Sequence, residues 1–140
     1  MNNDNDNDNN PFGELISSYT RAQAIADGNL VDVTITAQEA GFRIPVAITR
    51  SVWTDCVEWT DEDNKRLGEV QDQAGRLWDV VWMAHVAAKH AARKNRPYAD
   101  FLIERVPRFK GMGRKVHLMV DIGPGDSGEP VITIMSPSDR

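Results

Sequence analysis

Cysteine is nearly absent from this 140-residue chain. Cys56 stands alone, so no internal disulfide framework can form. Histidine is scarce as well, with only His85, His90 and His117 to draw on for a metal site or a His-based catalytic centre. No apolar leader opens the chain, because MNNDNDNDNN is polar throughout. The longest helical pattern, about 76–94, carries Arg76, Asp79 and two His, and is therefore no membrane span. Positive charge is in short supply overall: 16 Lys/Arg face 21 Asp/Glu, for a net charge of −5 and a pI near 5.1. Dedicated nucleic-acid binders are usually basic overall. These shortages together lead to the expectation of a soluble cytoplasmic protein with no cofactor, no metal and no membrane partner.

What is present suffices for one domain. Apolar residues make up 41% of the chain, and 140 residues is a single domain's worth. Residues 1–10 alternate Asn and Asp with no apolar residue after Met1, so burial cannot offset their ordering entropy, and a disordered tail is predicted. A domain is expected over 11–136, anchored at its start by Phe12, Leu15 and Ile16, with 137–140 as a short tail. No internal repeat is evident.

The patterning predicts an α+β fold: an antiparallel sheet of three to five strands packed on a long helix over 76–94 and a shorter one over 50–59. In the long helix Leu77, Val81, Ala84 and Ala88 follow helical spacing, with Trp78 and Trp82 widening a face expected to be core. Asn95 and Pro97 stop it. Thr20 with Gln23, Thr36 with Glu39, and Thr60 with Asp63 fit capping boxes. A strand is predicted over 30–35 by alternation. The run 42–48 is demoted to an edge strand or extended segment by Pro45. Three C-terminal strands, 101–106, 115–122 and 131–135, are expected to form a meander, with Val116, Leu118, Val120 and Ile122 inward and Lys115, His117, Met119 and Asp121 outward.

Several local patterns bear on chemistry. GDSGEP at 125–130 resembles a serine-protease signature, but Glu129 departs from it and the chain is too short for the fold that supplies the partners. A turn is the expected reading. His85 and His90 are five apart, about 140° around a helix, and cannot easily share one ion. Asp55, Glu58, Asp61, Glu62 and Asp63 cluster in a spacing that matches no calcium loop, and are expected to form a solvated face. Trp53 and Trp59 beside them are weighed as a partly exposed contact surface.

The strongest positive signal is basic. Residues 89–115 hold nine Lys/Arg against Asp100 and Glu104, for a net charge of +7. Lys89, Arg93, Lys94 and Arg96 end the long helix. Arg108, Phe109, Lys110, Arg114 and Lys115 flank a glycine-bearing hairpin loop. Cations beside an aromatic suit an anionic partner, phosphate contact with base stacking included. An enzyme acting on a nucleotide or nucleic acid is the other alternative, with Arg21, Arg50 or His117 as polar candidates, although no catalytic residue is singled out.

Four blocks carry a family resemblance: SYTRAQAIADGNLVDVT (18–34), AGFRIPVAITRSVWTDCVEW (40–59), QDQAGRLWDVVWM (71–83) and GPGDSGEPVITIM (123–135). The chain resembles a functionally uncharacterised family of small bacterial proteins carried on plasmids, integrated elements and phages. The resemblance implies an accessory role on mobile elements, for example in host defence or DNA maintenance. It brings no catalytic residues with it. The leading expectation is a non-enzymatic protein that acts through a protein partner.

Overall fold

The computed structural model describes residues 19–140. The Asn/Asp tail and the anchors Phe12, Leu15 and Ile16 lie outside them. The first element is α1, Arg21–Ala26. The Thr20 hydroxyl accepts from the Gln23 amide at 3.0 Å, and the Gln23 side chain accepts from the Thr20 amide at 2.8 Å. Then come β1 (Leu30–Asp32), α2 (Thr34–Ala40), β2 (Val46–Thr49) and the single turn α3 (Arg50–Val52). The turn runs into a π-helical segment, Trp53–Val57, closed by the Glu58 amide donating to the Trp53 carbonyl at 2.9 Å. Next is α4 (Asp61–Leu67), capped by Thr60 and Asp63, and then α5 (Gln73–Arg93). The strands β3 (Tyr98–Glu104), β4 (Lys115–Pro124) and β5 (Pro130–Met135) follow, and a 3-10 turn over Pro137–Asp139 closes the chain.

The fold is α+β, with five strands in the order β1-β2-β5-β4-β3. The predicted C-terminal meander is present, with β3–β4 and β4–β5 antiparallel. The N-terminal pair joins it through β2, which runs parallel to β5 and makes the sheet mixed. Pro45 does not confine β2 to an edge. It precedes the first paired residue, and its carbonyl accepts from the Ile132 amide at 2.8 Å, so the missing N–H costs no ladder bond. The alternation from Leu30 breaks early. β1 stops at Asp32 because the Asp32 carboxylate accepts from both the Thr34 amide (3.0 Å) and hydroxyl (2.6 Å) and turns the chain into α2. That helix starts before the Thr36–Glu39 box, which is not used.

One face of the sheet presents Val46, Ile48, Leu118, Val120, Ile132 and Ile134 to α5 and to the segment 50–57, and these form the main core. The other face is partly covered, so Met119 is buried rather than outward. The carboxy-terminal turn is tied in: Asp139 accepts from the Thr49 hydroxyl at 2.8 Å and the Ser51 hydroxyl at 2.7 Å.

The orientation of α5 departs most from expectation. Its buried stripe is Arg76, Val80, Val81, Ala84, Ala87, Ala88 and Ala91. The small alanines let the helix axis approach the sheet closely, and bulky indoles on that side would hold it away. Trp78 and Trp82, expected in the core, therefore face outward, 38% and 45% exposed. Trp59 is the buried one, its Nε1 donating to Asn64 Oδ1 at 2.9 Å, and Trp53 is half-buried against the core.

Candidate functional site

The basic segment is divided between two ends of the molecule. Lys89, Arg93, Lys94 and Arg96 are exposed at the carboxy-terminal end of α5, where β3 begins. Phe109, Lys110, Arg114 and Lys115 are exposed around the loop that follows β3. The seven residues of β3 separate the two groups by roughly 20 Å, at about 3.3 Å per residue. No single surface gathers all nine predicted residues.

Arg108 is withdrawn further. It is nearly buried, with Nε donating to Asp63 at 2.8 Å and Nη1 lying 3.3 Å from Glu58. Its guanidinium lies 5.2 Å from the Phe109 ring centroid. Asp63 also accepts from Arg66 at 2.7 Å and from the Thr60 amide and hydroxyl. Burial alone would raise the Asp63 carboxyl. The hydrogen bonds from Arg66, Thr60 and Arg108 outweigh it and hold the group well below the usual carboxylate range. Asp55 pairs with the half-buried Arg105 at 3.0 Å, and Arg105 also donates to the Asp55 and Gly113 carbonyls. The acidic cluster and part of the basic hairpin are therefore each other's counter-ions. Two signals that looked like separate surfaces meet in two arginine pairings. Asp63 is the buried acid of the cluster, Asp55 and Glu58 stay partly exposed beside their arginines, and Asp61 and Glu62 are exposed.

Behind these pairings lies Arg76, 3% exposed. Its Nε donates to the Val57 carbonyl at 3.2 Å and its Nη1 to the Val106 carbonyl at 3.0 Å. The guanidinium carbon lies 4.5 Å from the Trp59 ring centroid. Nη2 meets no acceptor among the described residues. Burial lowers the Arg76 pKa from its ordinary value. In the sequence alone, Arg76 argues only against a membrane span. Its spacing of four from Val80 and eight from Ala84 was the available sign that it shares their buried face.

A cavity of about 200 Å³ beside Arg76 is also lined by Cys56, Gln71, Asp79, Glu104, Arg105 and Arg114. Burial, and then the neighbouring Asp55, push the Cys56 thiol up to about 12, against the pull of Arg105 and Arg76. Cys56 is thus a buried thiol that donates weakly to Asp55 at 3.8 Å, not a nucleophile. Iodoacetamide at neutral to mildly alkaline pH is expected to alkylate it about 100-fold more slowly in the folded protein than in urea, as read by mass spectrometry.

Of the polar candidates for an enzyme, Arg21 and Arg50 bond to backbone within the fold and His117 is exposed. Arg21 straps α1 to the sheet, donating to Thr133 Oγ1 at 2.8 Å and the Ile132 carbonyl at 2.6 Å. Arg50 Nε donates to the Gly28 carbonyl at 2.9 Å. His117 lies exposed on β4, 3.2 Å from Asp100. In GDSGEP the Gly125 amide donates to the Glu129 carbonyl to close a turn. Asp126 accepts from the Arg21 and Ala22 amides, at 2.7 and 3.1 Å, at the first turn of α1.

The outward side of α5 is left to be accounted for. Trp78, Trp82, Met83 and Val86 are each between 38% and 48% exposed. The two indoles stack with centroids 6.0 Å apart, and the series continues from Trp82 to His85 at 5.9 Å and from His85 edge-on to Phe42 at 5.1 Å. Burial, and then Lys89, lower the His85 pKa, which favours the neutral ring. Beside Trp82 a groove of about 240 Å³ is lined by His85, Val86, Lys89, His90 and Arg93 as well. Isolated exposed apolar residues need no explanation, whereas a contiguous aromatic strip on one helix face calls for one.

The described residues thus define a small α+β protein with its strongest ion pairs turned inward and an aromatic helix face turned out. No helix among them is long and apolar enough to cross a membrane. The chain belongs to DUF6573, a family of unknown function, whose sequence profile matches residues 8–140. No curated protein and no solved structure matches it significantly.

Proposed function

We propose that this chain is a non-enzymatic, protein-binding accessory protein of mobile genetic elements, and that it docks its partner on the outward face of α5. The carrying observation is the strip formed by Trp78, Trp82, Met83 and Val86. Trp is among the residues that contribute most at protein interfaces, because it desolvates a large area while losing few rotamers. Lys89 and Arg93 flank the strip at one end and supply charge for orienting an acidic counterpart. The mobile-element setting is supported by the family resemblance of the four sequence blocks.

The test is affinity capture of the tagged full chain from cells that also carry the untagged chain, with a nuclease wash. The expected result is a nuclease-resistant protein held by the wild type and lost by Trp78→Ser/Trp82→Ser, with circular dichroism confirming that the variant is folded. Capture that disappears on nuclease treatment would move the function to nucleic acid. Capture that survives in the double variant would remove α5 from the interface.

A further inference from the structure

We infer that the partner seated on the outward face of α5 is a second copy of this chain, its α5 laid antiparallel to the first across a two-fold axis at Trp82. This rests on the protein-binding reading above and names the partner for it. The first argument is charge. The outward side of α5 begins with Asp72 and Asp79 and ends with Lys89, His90 and Arg93. A parallel pair would align like charges along its length, whereas an antiparallel pair matches the acidic half of each helix to the basic half of the other.

The second argument is shape. At 1.5 Å and 100° per residue, Trp78 lies about 6 Å before Trp82 and Val86 about 6 Å after it, all within about 40° of one line. A two-fold axis at Trp82 sets one copy's Trp78 at the height of the other's Val86, between His85 and Lys89. That is the groove already present beside Trp82. The indole is the knob, the groove is the hole, and the Lys89 ammonium can lie over the ring. The same axis repeats the contact in the reverse sense, as an isologous interface requires.

The helix ends agree with this arrangement. Gly75 and Lys89 are each seven residues from Trp82, so one copy's Lys89 stem meets a position without a side chain. One copy's Arg93 falls within reach of the other's Asp72, on the same side of the seam. Asp72 Oδ1 accepts from the Gly75 amide at 2.6 Å, while Oδ2 carries no hydrogen bond among the described residues. Three large apolar side chains per copy, Trp78, Trp82 and Val86, make a narrow interface, and a dissociation constant on the order of 10 µM is expected.

The experiment is sedimentation equilibrium of the purified full chain from about 1 to about 500 µM. The expected result is a monomer–dimer equilibrium that Trp82→Glu, folded by circular dichroism, weakens about 30-fold or more, since it sets two carboxylates against each other at the axis. Arg93→Glu gives a second, milder loss. A nitroxide on Ala74→Cys, an exposed position off the strip, with the buried Cys56 unlabelled, should report a spin–spin distance of about 26 Å, from about 24 Å along the axes and one helix spacing across them. A distance below about 15 Å would mean parallel pairing and would overturn the inference. So would a dimer indifferent to Trp82→Glu, or a monomer throughout, whether the strip is then bare, covered by residues 11–18 or reserved for another protein. A monomer that still captures a different protein through Trp78 and Trp82 would leave the protein-binding reading intact. Capture unaffected by Trp78→Ser/Trp82→Ser would remove that reading instead.

Discussion

Asp63→Asn is expected to lower the melting temperature at neutral pH by about 10 °C, the largest loss foreseen for a single polar substitution in this chain. One carboxylate accepts from the Thr60 amide and hydroxyl, from Arg66 and from Arg108. Its loss leaves the nearly buried Arg108 with only Glu58 as a counter-charge and weakens the cap of α4. Breaking a buried pair from one side is costly because the surviving charge stays desolvated. The pH dependence follows from the same contacts. The folded carboxyl is held below its unfolded value, which is about 3.9. The stability it contributes is therefore complete above that value and is lost as pH falls below about 4 toward the folded pKa. Thermal melts across the acidic range should show the wild type falling toward the variant, whose own curve lacks this component. A variant that melts with the wild type at neutral pH would mean that the network contributes little.

Gly41→Ala is expected to cost about 3 kcal/mol, from two causes that can be separated. Gly41 ends α2 at φ +116°, a backbone region that L-residues rarely adopt. A Cβ built there would also lie 2.8 Å from the His85 ring. That ring is wedged between Phe42 and Trp82 and cannot yield freely. In a His85→Ala background the contact is gone and only the backbone part remains, so the same substitution should cost about 1 to 2 kcal/mol. Urea denaturation of the four proteins closes the cycle. Equal costs in both backgrounds would show that the ring is not the obstacle. Because His85 also lines the groove beside Trp82, displacing it should weaken self-association in parallel.

The two internal arginine sites show why the candidate surfaces were only half legible. Lys89, Arg93, Lys94 and Arg96 could be read as exposed because a helix end followed by Asn95 and Pro97 has nowhere to be buried. Asn95 does stop the helix, at φ +54°. Arg108 reads identically to Lys110 in the sequence, yet one is locked onto Asp63 and Glu58 and the other is free in solvent. Those acids lie some 45 to 50 residues earlier in the chain, a separation no local pattern spans.

The same division runs through the whole protein. The capping boxes at Thr20 and Thr60, the extent of the long helix, the hairpin loop and the three-strand meander are set by interactions within a few residues or between adjacent strands. These the sequence determined by itself. Only the tertiary structure decided that β5 inserts between β2 and β4, that Asp55 and Asp63 neutralise Arg105 and Arg108, and that α5 turns its indoles outward. The physical reason for the last is that helical periodicity marks an apolar arc wider than the sheet can cover. Which part of that arc is buried depends on which residues let the backbones approach most closely. The alanines at 84, 87, 88 and 91 do so, and Trp78 and Trp82 remain outside.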